Sequence, residues 1–330
     1  MKIFYAVQAT GNGHISRAME LLPYLQAYGK VDLFLSGANS TLPLDAPVKY
    51  RSKGLSLFYT CKGGLNYLAM LKKISPLQLN KEVKELPVEK YDLVINDFEC
   101  ITSLACRHKK VPSVNFGHQA SFMSAHTPRP KNPSKTGEWI LKNYARASRY
   151  VGLHFDQYDD FILPPVIKSR VWNARPADHG HITVYLPSYC DCEIRKYFRH
   201  LDFYRFQVFS KEVSAVTEEN NFTFIPVGKE AFNESLIHCS AIICGAGFET
   251  PAEALHLKKK MMVMPIKGQY EQKCNAAALE KLGVKTLPGL PADFHKVFEA
   301  WYETAEPVDI RFPYSAGEII TRMMSSIATR

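Results

Sequence analysis

The sequence predicts two doubly wound α/β domains that face one another across a central cleft. Three observations lead there: the length of the chain, the short apolar runs that alternate with helical spacing in both halves, and a glycine-rich turn after a buried-looking run in each half. At 330 residues, 46% of them hydrophobic, the chain can bury a large core, and its length suits two domains of ordinary size better than one.

The first half supplies KIFYAV (2–7), VDLFL (31–35), DLVIN (92–96), SVNF (113–116) and YVGLHF (150–155). Such β-branched and aromatic runs form parallel strands buried on both faces. Between the first two, Ile15, Met19, Leu22 and Leu25 recur at helical spacing, and Pro23 among them predicts a kink or a broken turn. Strand, helix, strand makes a Rossmann-like layer, so residues 1–160 are assigned to an N-terminal domain. Residues 156–180 are rich in proline and charge and read as a crossing segment without elements, with 161–180 as the linker proper. A second series, HITVYLP (181–187), FYRFQVF (203–209), FTFIPV (222–227), AIICG (241–245) and MMVMPI (261–266), defines a C-terminal domain over 181–330, whose last helix is expected to pack back on the first domain. Ligands of doubly wound sheets bind at the carboxyl ends of the strands, here in the cleft between the domains.

Charge and cysteine usage narrow the partners. A formal charge of +9 suits an anionic ligand: nucleic acid, an acidic membrane surface or a phosphorylated small molecule. No nucleic-acid recognition motif is present and the basic residues are distributed along the chain, so a nucleic-acid partner is not expected. The eight cysteines include one close pair, Cys190 and Cys192, which matches neither a zinc spacing nor a disulfide framework and suits a reducing cytoplasm. Met1 leads straight into a strand, without a leader pattern, and no run of about 18 apolar residues offers a membrane span. The expectation is a cytoplasmic protein, at most peripheral at the inner face of a membrane. Asp159 and Asp160 lie in the crossing segment and are read as solvated, so no metal site is expected.

Two stretches carry the chemistry. TGNGHISR, Thr10 to Arg17, places two glycines and a histidine directly after the first strand. CGAGFETPAEAL, from Cys244, ends a strand in Gly245-Ala246-Gly247 and opens a helix near Thr250-Pro251. Unpaired N–H groups and the helix dipole stabilise a phosphate at such a helix start, and glycines let the backbone come close.

The stretch from Cys244 to Gly283 resembles the donor-binding signature of GT-B fold glycosyltransferases, especially the MurG-like group that uses UDP-sugars. It departs from that pattern at Cys244 and at Lys258, Lys259 and Lys260. The resemblance implies that Gly245, Ala246, Gly247, Phe248 and Thr250 line the diphosphate and that Glu253 takes the ribose hydroxyls. Glu271, Gln272 and Asn275 would approach the donor sugar, with Gln269 beside them, and Ser188 is placed with these donor residues. The loop Gly11, Asn12, Gly13, His14, together with Arg17, resembles the family's first-domain loop that faces the same cleft, and Gly11, Asn12, Gly13 and Arg17 are counted with the donor-binding residues. The implied activity is transfer of a sugar from a nucleotide diphosphate donor to a hydroxyl acceptor, with inversion and without a metal or other cofactor. The acceptor is left open among a glycan, a lipid-linked compound and a small molecule. A non-catalytic nucleotide-sugar binding or sensing protein, and a nucleotide-sugar epimerase on the same plan, are the alternatives.

Plainer roles compete for the same residues. Thr250-Pro251-Ala252-Glu253 also has the form of a capping box, which alone would account for Glu253. A neutral His14 would take the proton of an attacking hydroxyl, or it would cap and pack its loop. Asp97, Glu99, His118 and Gln119 lie at strand ends and compete for the catalytic role. Asp97 and Glu99 alternate, so only one of them should face the cleft, and each is also a candidate helix cap. Residues 51–73 mix apolar and basic positions as an acceptor loop or membrane-surface patch would, or as a solvated helix would. The Cys190-Asp191-Cys192 spacing is a weak signal for metal or redox chemistry.

Overall fold

The computed structural model describes residues 1–9, 11–37, 45–54, 59–60, 64–65 and 76–328. The first half runs β1 (Lys2–Gln8), α1 (Asn12–Gln26), β2 (Lys30–Ser36), β3 (Val48–Ser52), β4 (Tyr59–Thr60), β5 (Gly64–Leu65), α2 (Pro76–Glu85), β6 (Leu93–Asp97), α3 (Cys100–Lys109), β7 (Val114–Gly117), α4 (Lys135–Asn143), β8 (Arg149–Leu153) and β9 (Ile162–Leu163). It continues through α5 (Ser169–Trp172), β10 (His181–Tyr185), α6 (Asp191–Phe198), β11 (Arg205–Ser210), β12 (Thr217–Glu219), β13 (Phe222–Pro226), α7 (Lys229–His238) and β14 (Ala241–Gly245). The chain then forms α8 (Glu249–His256), β15 (Lys260–Met264), α9 (Tyr270–Lys281), β16 (Lys285–Thr286), α10 (Phe294–Thr304) and α11 (Ala316–Ala328).

Two sheets result. The first has the order β3-β2-β1-β6-β7-β8-β9 and the second β12-β13-β11-β10-β14-β15-β16. Pairing is parallel throughout except between β12 and β13, while β4 and β5 form a small antiparallel pair of their own. The apolar runs explain the central strands. In β1, Ile3, Tyr5 and Val7 enter one core while Phe4 and Ala6 enter another on the opposite face. In β14, Ile242 and Cys244 face one core and Ala241 and Ile243 the other. A strand with helices on both sides needs apolar residues at every position, which is what these runs supply.

Each sheet reverses its winding once: between β1 and β6 in the first, between β10 and β14 in the second. At such a reversal the helices following adjacent strands leave on opposite faces, so the strand ends open a crevice. The loops carrying Gly11 to His14, Asp97, Ser188 and Gly245 to Gly247 all follow these four strands. The fold brings both sequence motifs to the switch points.

Several expectations are corrected. The segment 156–180 carries β9, which extends the first sheet, and the short helix α5. Pro23 does not break α1, which runs on to Gln26, although a proline nitrogen cannot donate to the Met19 carbonyl one turn back. The edge strands β3, β12 and β16 were not foreseen. Most of 51–73 lies outside the described residues. Cys190 and Cys192 are joined in a disulfide. The last helix, α11, packs on α1: its Ala316, Ile319, Ile320 and Met323 share a core with Ile15, Ala18 and Leu22, and Tyr28 Oη donates to Thr321 Oγ1 at 3.4 Å. Among the described residues no helix is long and apolar enough to cross a membrane.

Candidate functional site

The four strand ends surround a cleft of about 710 Å³, lined from one side by Gly11, Asn12, Gly13, His14 and Arg17 and from the other by Ser188, Gly245, Gly247, Phe248 and Thr250. On the first wall, Gly11 enters α1 with an extended backbone and puts His14 in the first helical turn. The His14 ring reaches Asp97, the last residue of β6, with Nδ1 3.0 Å from Oδ1. Asp97 is fully buried and also takes a hydrogen bond from Arg17 Nη2 at 2.6 Å. Gly117 makes room for this cluster: a Cβ there would lie 2.7 Å from Asp97 Oδ1 and 3.3 Å from Arg17 Nη2. Burial alone would raise the Asp97 pKa, but Arg17 and then His14 outweigh it and hold the carboxyl below its usual value. Two groups meet His14 Nδ1, Asp97 Oδ1 at 3.0 Å and Arg17 Nη2 at 3.1 Å; Arg17 is already committed to Asp97 at 2.6 Å, so the ionised carboxylate, which only accepts, places the hydrogen on Nδ1 and turns the Nε2 lone pair toward the cleft. The Gln119 amide nitrogen stands 3.5 Å from that Nε2, consistent with the same tautomer.

Arg17 also crosses the cleft to Glu249, the first residue of α8, which the sequence reading passed over. Burial pushes the Glu249 pKa up to about 7, with Arg17 pulling it down and Glu253 and Asp97 pushing it up further. The sign follows: a carboxyl whose folded pKa exceeds its ordinary 4.5 favours the fold when protonated. That contribution is complete below pH 4.5 and is lost as pH rises to about 7. The Tm advantage of wild type over Glu249→Gln should therefore shrink across this window in thermal melts; an unchanged difference would assign Glu249 an ordinary pKa.

On the second wall, α8 begins at Glu249 after Phe248, which makes no side-chain cap. The capping box at Thr250 to Glu253 is not formed: the helix starts at Glu249, which puts Thr250 inside it, and the Glu253 carboxylate turns to Lys168 Nζ at 3.0 Å. A Cβ on Gly247 would meet nothing within 4 Å, so this position faces the open cleft. Ala246 lies behind it, fully buried, with its carbonyl accepting from Asn275 Nδ2 at 3.1 Å. Asn275 is itself buried and does not line the cleft, which corrects its expected contact with the donor sugar and that of Ala246 with the diphosphate. Gln269, Glu271 and Gln272 do line it. Gln272 Oε1 accepts from the Ile266 backbone at 2.9 Å, Glu271 accepts from Gln119 at 3.1 Å, and Gln269 Oε1 is buried without a partner among the described residues.

Two catalytic candidates are redirected. His118 has Nδ1 3.0 Å from the Leu153 carbonyl and Nε2 2.7 Å from Asn275 Oδ1, and its ring stacks on Phe248 at 4.0 Å. Both nitrogens are engaged, and burial lowers its pKa. Glu99 caps α3, accepting from the Ile101 and Thr102 N–H groups at 2.9 and 2.6 Å. It is fully buried and away from the cleft lining. Glu99→Ala is expected to cost about 1–2 kcal/mol in denaturant unfolding with kcat unchanged; a loss of turnover at undiminished stability would return it to the site.

The far end of the cleft is apolar, with Phe98, Ile140, Leu141, Tyr144 and the Tyr270 ring, whose Oη donates to Glu138 Oε1 at 2.7 Å. Contacts across the cleft also include Asn12 Nδ2 to Tyr185 Oη at 3.4 Å. Glu249, Lys168, Gly117 and Tyr185 are the residues that sequence reasoning missed. A signal existed only for Glu249, an acid two residues beyond Gly247.

A sequence profile described as Glycosyl transferase family 1 matches residues 1–289. No curated protein matches the chain significantly. Among solved structures, the glycosyltransferase SnogD from Streptomyces nogalater is similar, with 16% identity, coverage of 100% of this chain and 95% of that one, and a TM-score of 0.55. Arabidopsis thaliana UGT89C1 complexed with quercetin gives 11% identity, 98% and 93% coverage and a TM-score of 0.59. Phytolacca americana UGT2, complexed with UDP-2fluoro-glucose and pterostilbene, gives 13%, 98% and 94%, and 0.57. At such identities these structures establish the two-domain GT-B fold.

Proposed function

Because the chain belongs to glycosyl transferase family 1 and is a glycosyltransferase, we propose that it moves a sugar from a UDP-sugar to a hydroxyl on a small acceptor with an apolar body, by inverting displacement. The observation that carries this reading is the His14–Asp97 pair at 3.0 Å, placed at the cleft opposite the Gly245 to Gly247 turn. The acceptor hydroxyl gives its proton to His14 Nε2 while its oxygen bonds to the anomeric carbon. The bond from that carbon to the diphosphate oxygen breaks, and the leaving group keeps the electron pair. Asp97 stabilises the imidazolium, as a buried carboxylate does for a histidine base. The developing diphosphate charge falls at the start of α8, whose first N–H groups have no partners within the helix. This assignment asks for no metal.

The MurG-like donor arrangement is our reading of residues 244–283, and the apolar end formed by Phe98, Ile140 and Leu141 supports the acceptor assignment. UDP and UDP-sugar complexes of the structural neighbours support the choice of nucleotide. The test is incubation with a panel of UDP-sugars and hydroxyl acceptors, with the product's anomeric configuration read by NMR. Transfer with inversion is expected. Donor binding without turnover would favour a sensing protein, and interconversion of the nucleotide-bound sugar would favour an epimerase.

Glu253 is assigned to the ribose hydroxyls. Glu253→Ala is expected to weaken UDP binding about 10- to 100-fold in calorimetry, the range for hydrogen bonds to a charged group. Undiminished affinity would take Glu253 out of the donor site.

A further inference from the structure

We propose that Lys168 is a positioning residue for donor recognition: from the segment that crosses between the domains it keeps the Glu253 carboxylate ionised and aimed, so that the site selects a nucleotide carrying a ribose diol. The inference rests on the assignment of Glu253 to the ribose and adds to it a residue outside both motifs. Glu253 is 1% exposed, on the cleft wall one turn into α8. Burial drives such a carboxyl toward its protonated form and leaves its pKa raised, while Lys168, by its charge and its hydrogen bond, opposes this and limits the rise. Lys168 Nζ lies 3.0 Å from both carboxylate oxygens and 2.9 Å from Asn233 Oδ1, with the Phe232 ring centroid at 5.8 Å. These acceptors and the ring hold the ammonium in place, and its own side chain is 12% exposed.

The other titratable groups acting on Glu253 are carboxyls, Glu20 from α1 and Glu249 from the preceding turn of α8, and neither supplies a positive charge. Arg17 is already shared between Asp97 and Glu249. Glu20 accepts from Ser169, the residue after Lys168, at 2.5 Å. An ionised carboxylate has four acceptor positions and no donor, so after Lys168 it still seeks hydroxyl donors. The 2′ and 3′ hydroxyls of a ribose supply two; a 2′-deoxyribose supplies one. A protonated Glu253 would instead offer its own hydrogen and lose that preference.

The experiment measures UDP and 2′-deoxy-UDP binding by calorimetry from pH 5.5 to 8.5, in wild type, Lys168→Met, Glu253→Gln and the double variant. Wild type should prefer UDP over 2′-deoxy-UDP by a ratio that changes little with pH, since titration of Glu249 and of the terminal phosphate acts on both ligands alike. Lys168→Met should bind UDP more weakly, with affinity falling toward tenfold per pH unit below the raised Glu253 pKa, and should lose most of the ribose preference. Should Lys168→Met fail to fold, the double variant decides, since it removes both charges at similar volume. It should then match Glu253→Gln, because Lys168 acts only through the carboxylate. Lys168→Met with wild-type affinity, pH profile and ribose preference would overturn the proposal while leaving the ribose assignment intact, and so would a double variant weaker than Glu253→Gln. A ribose preference that survives Glu253→Gln, or that wild type lacks, would overturn the assignment and the proposal together.

Discussion

His14→Ala should cut turnover about 10²- to 10⁴-fold while barely altering donor affinity, the signature of a general base lost without loss of ground-state binding. The separation follows from the fold: His14 stands on the first wall of the cleft, and the residues assigned to the donor stand on the second. His14→Asn should fare no better, since an amide cannot accept the proton. Asp97→Asn should also lower turnover, because its amide no longer fixes the Nδ1–H tautomer. The structure leaves few substitutes. Glu99 spends its carboxylate on α3, and the two His118 nitrogens lie against the Leu153 carbonyl and the Asn275 side chain. Full turnover in His14→Ala with the natural acceptor would therefore refute the proposed mechanism and leave the Gly11 to His14 loop a positioning role.

The second large effect is expected at Gly247. A Cβ there points into unoccupied space, so Gly247→Val should fold with little change in Tm. Its isopropyl group would stand where the diphosphate is placed, and its backbone would be more restricted than glycine allows. UDP affinity should fall by at least about 100-fold, on the scale of losing the hydrogen bonds an anion makes at a helix start. Calorimetry at matched stability reads this directly, and wild-type affinity would remove the turn from the site.

What could be read from the sequence follows burial. Strands such as Ile3 to Val7 and Ile242 to Cys244 lie between two cores, so their composition alone marks them. The edge strand β3, VKYRS, alternates half-buried and exposed positions and contains no comparable run. Short edges such as β9 and β16 depend on a neighbour rather than on their own residues. The site divides in the same way. The glycine turns were visible because backbone exposed to a ligand imposes local residue types. The partners of His14, Glu253 and Glu249 were not, because each pairing joins residues far apart in the chain. The capping-box reading of Glu253 was locally sound and failed because the helix starts at Glu249 and because Lys168, 85 positions away, offers the carboxylate a cation.

The return of α11 to α1 has a mechanical consequence. Two bodies joined by one connection can twist and swing in any direction. Here the chain passes between the two halves twice, once ahead of β10 and again between α10 and α11, so they are tethered at two points rather than one. The hydrogen bonds of Asn12 to Tyr185, Gln119 to Glu271 and Tyr270 to Glu138 add polar ties between the two walls, which water can replace, to the covalent ones, which it cannot.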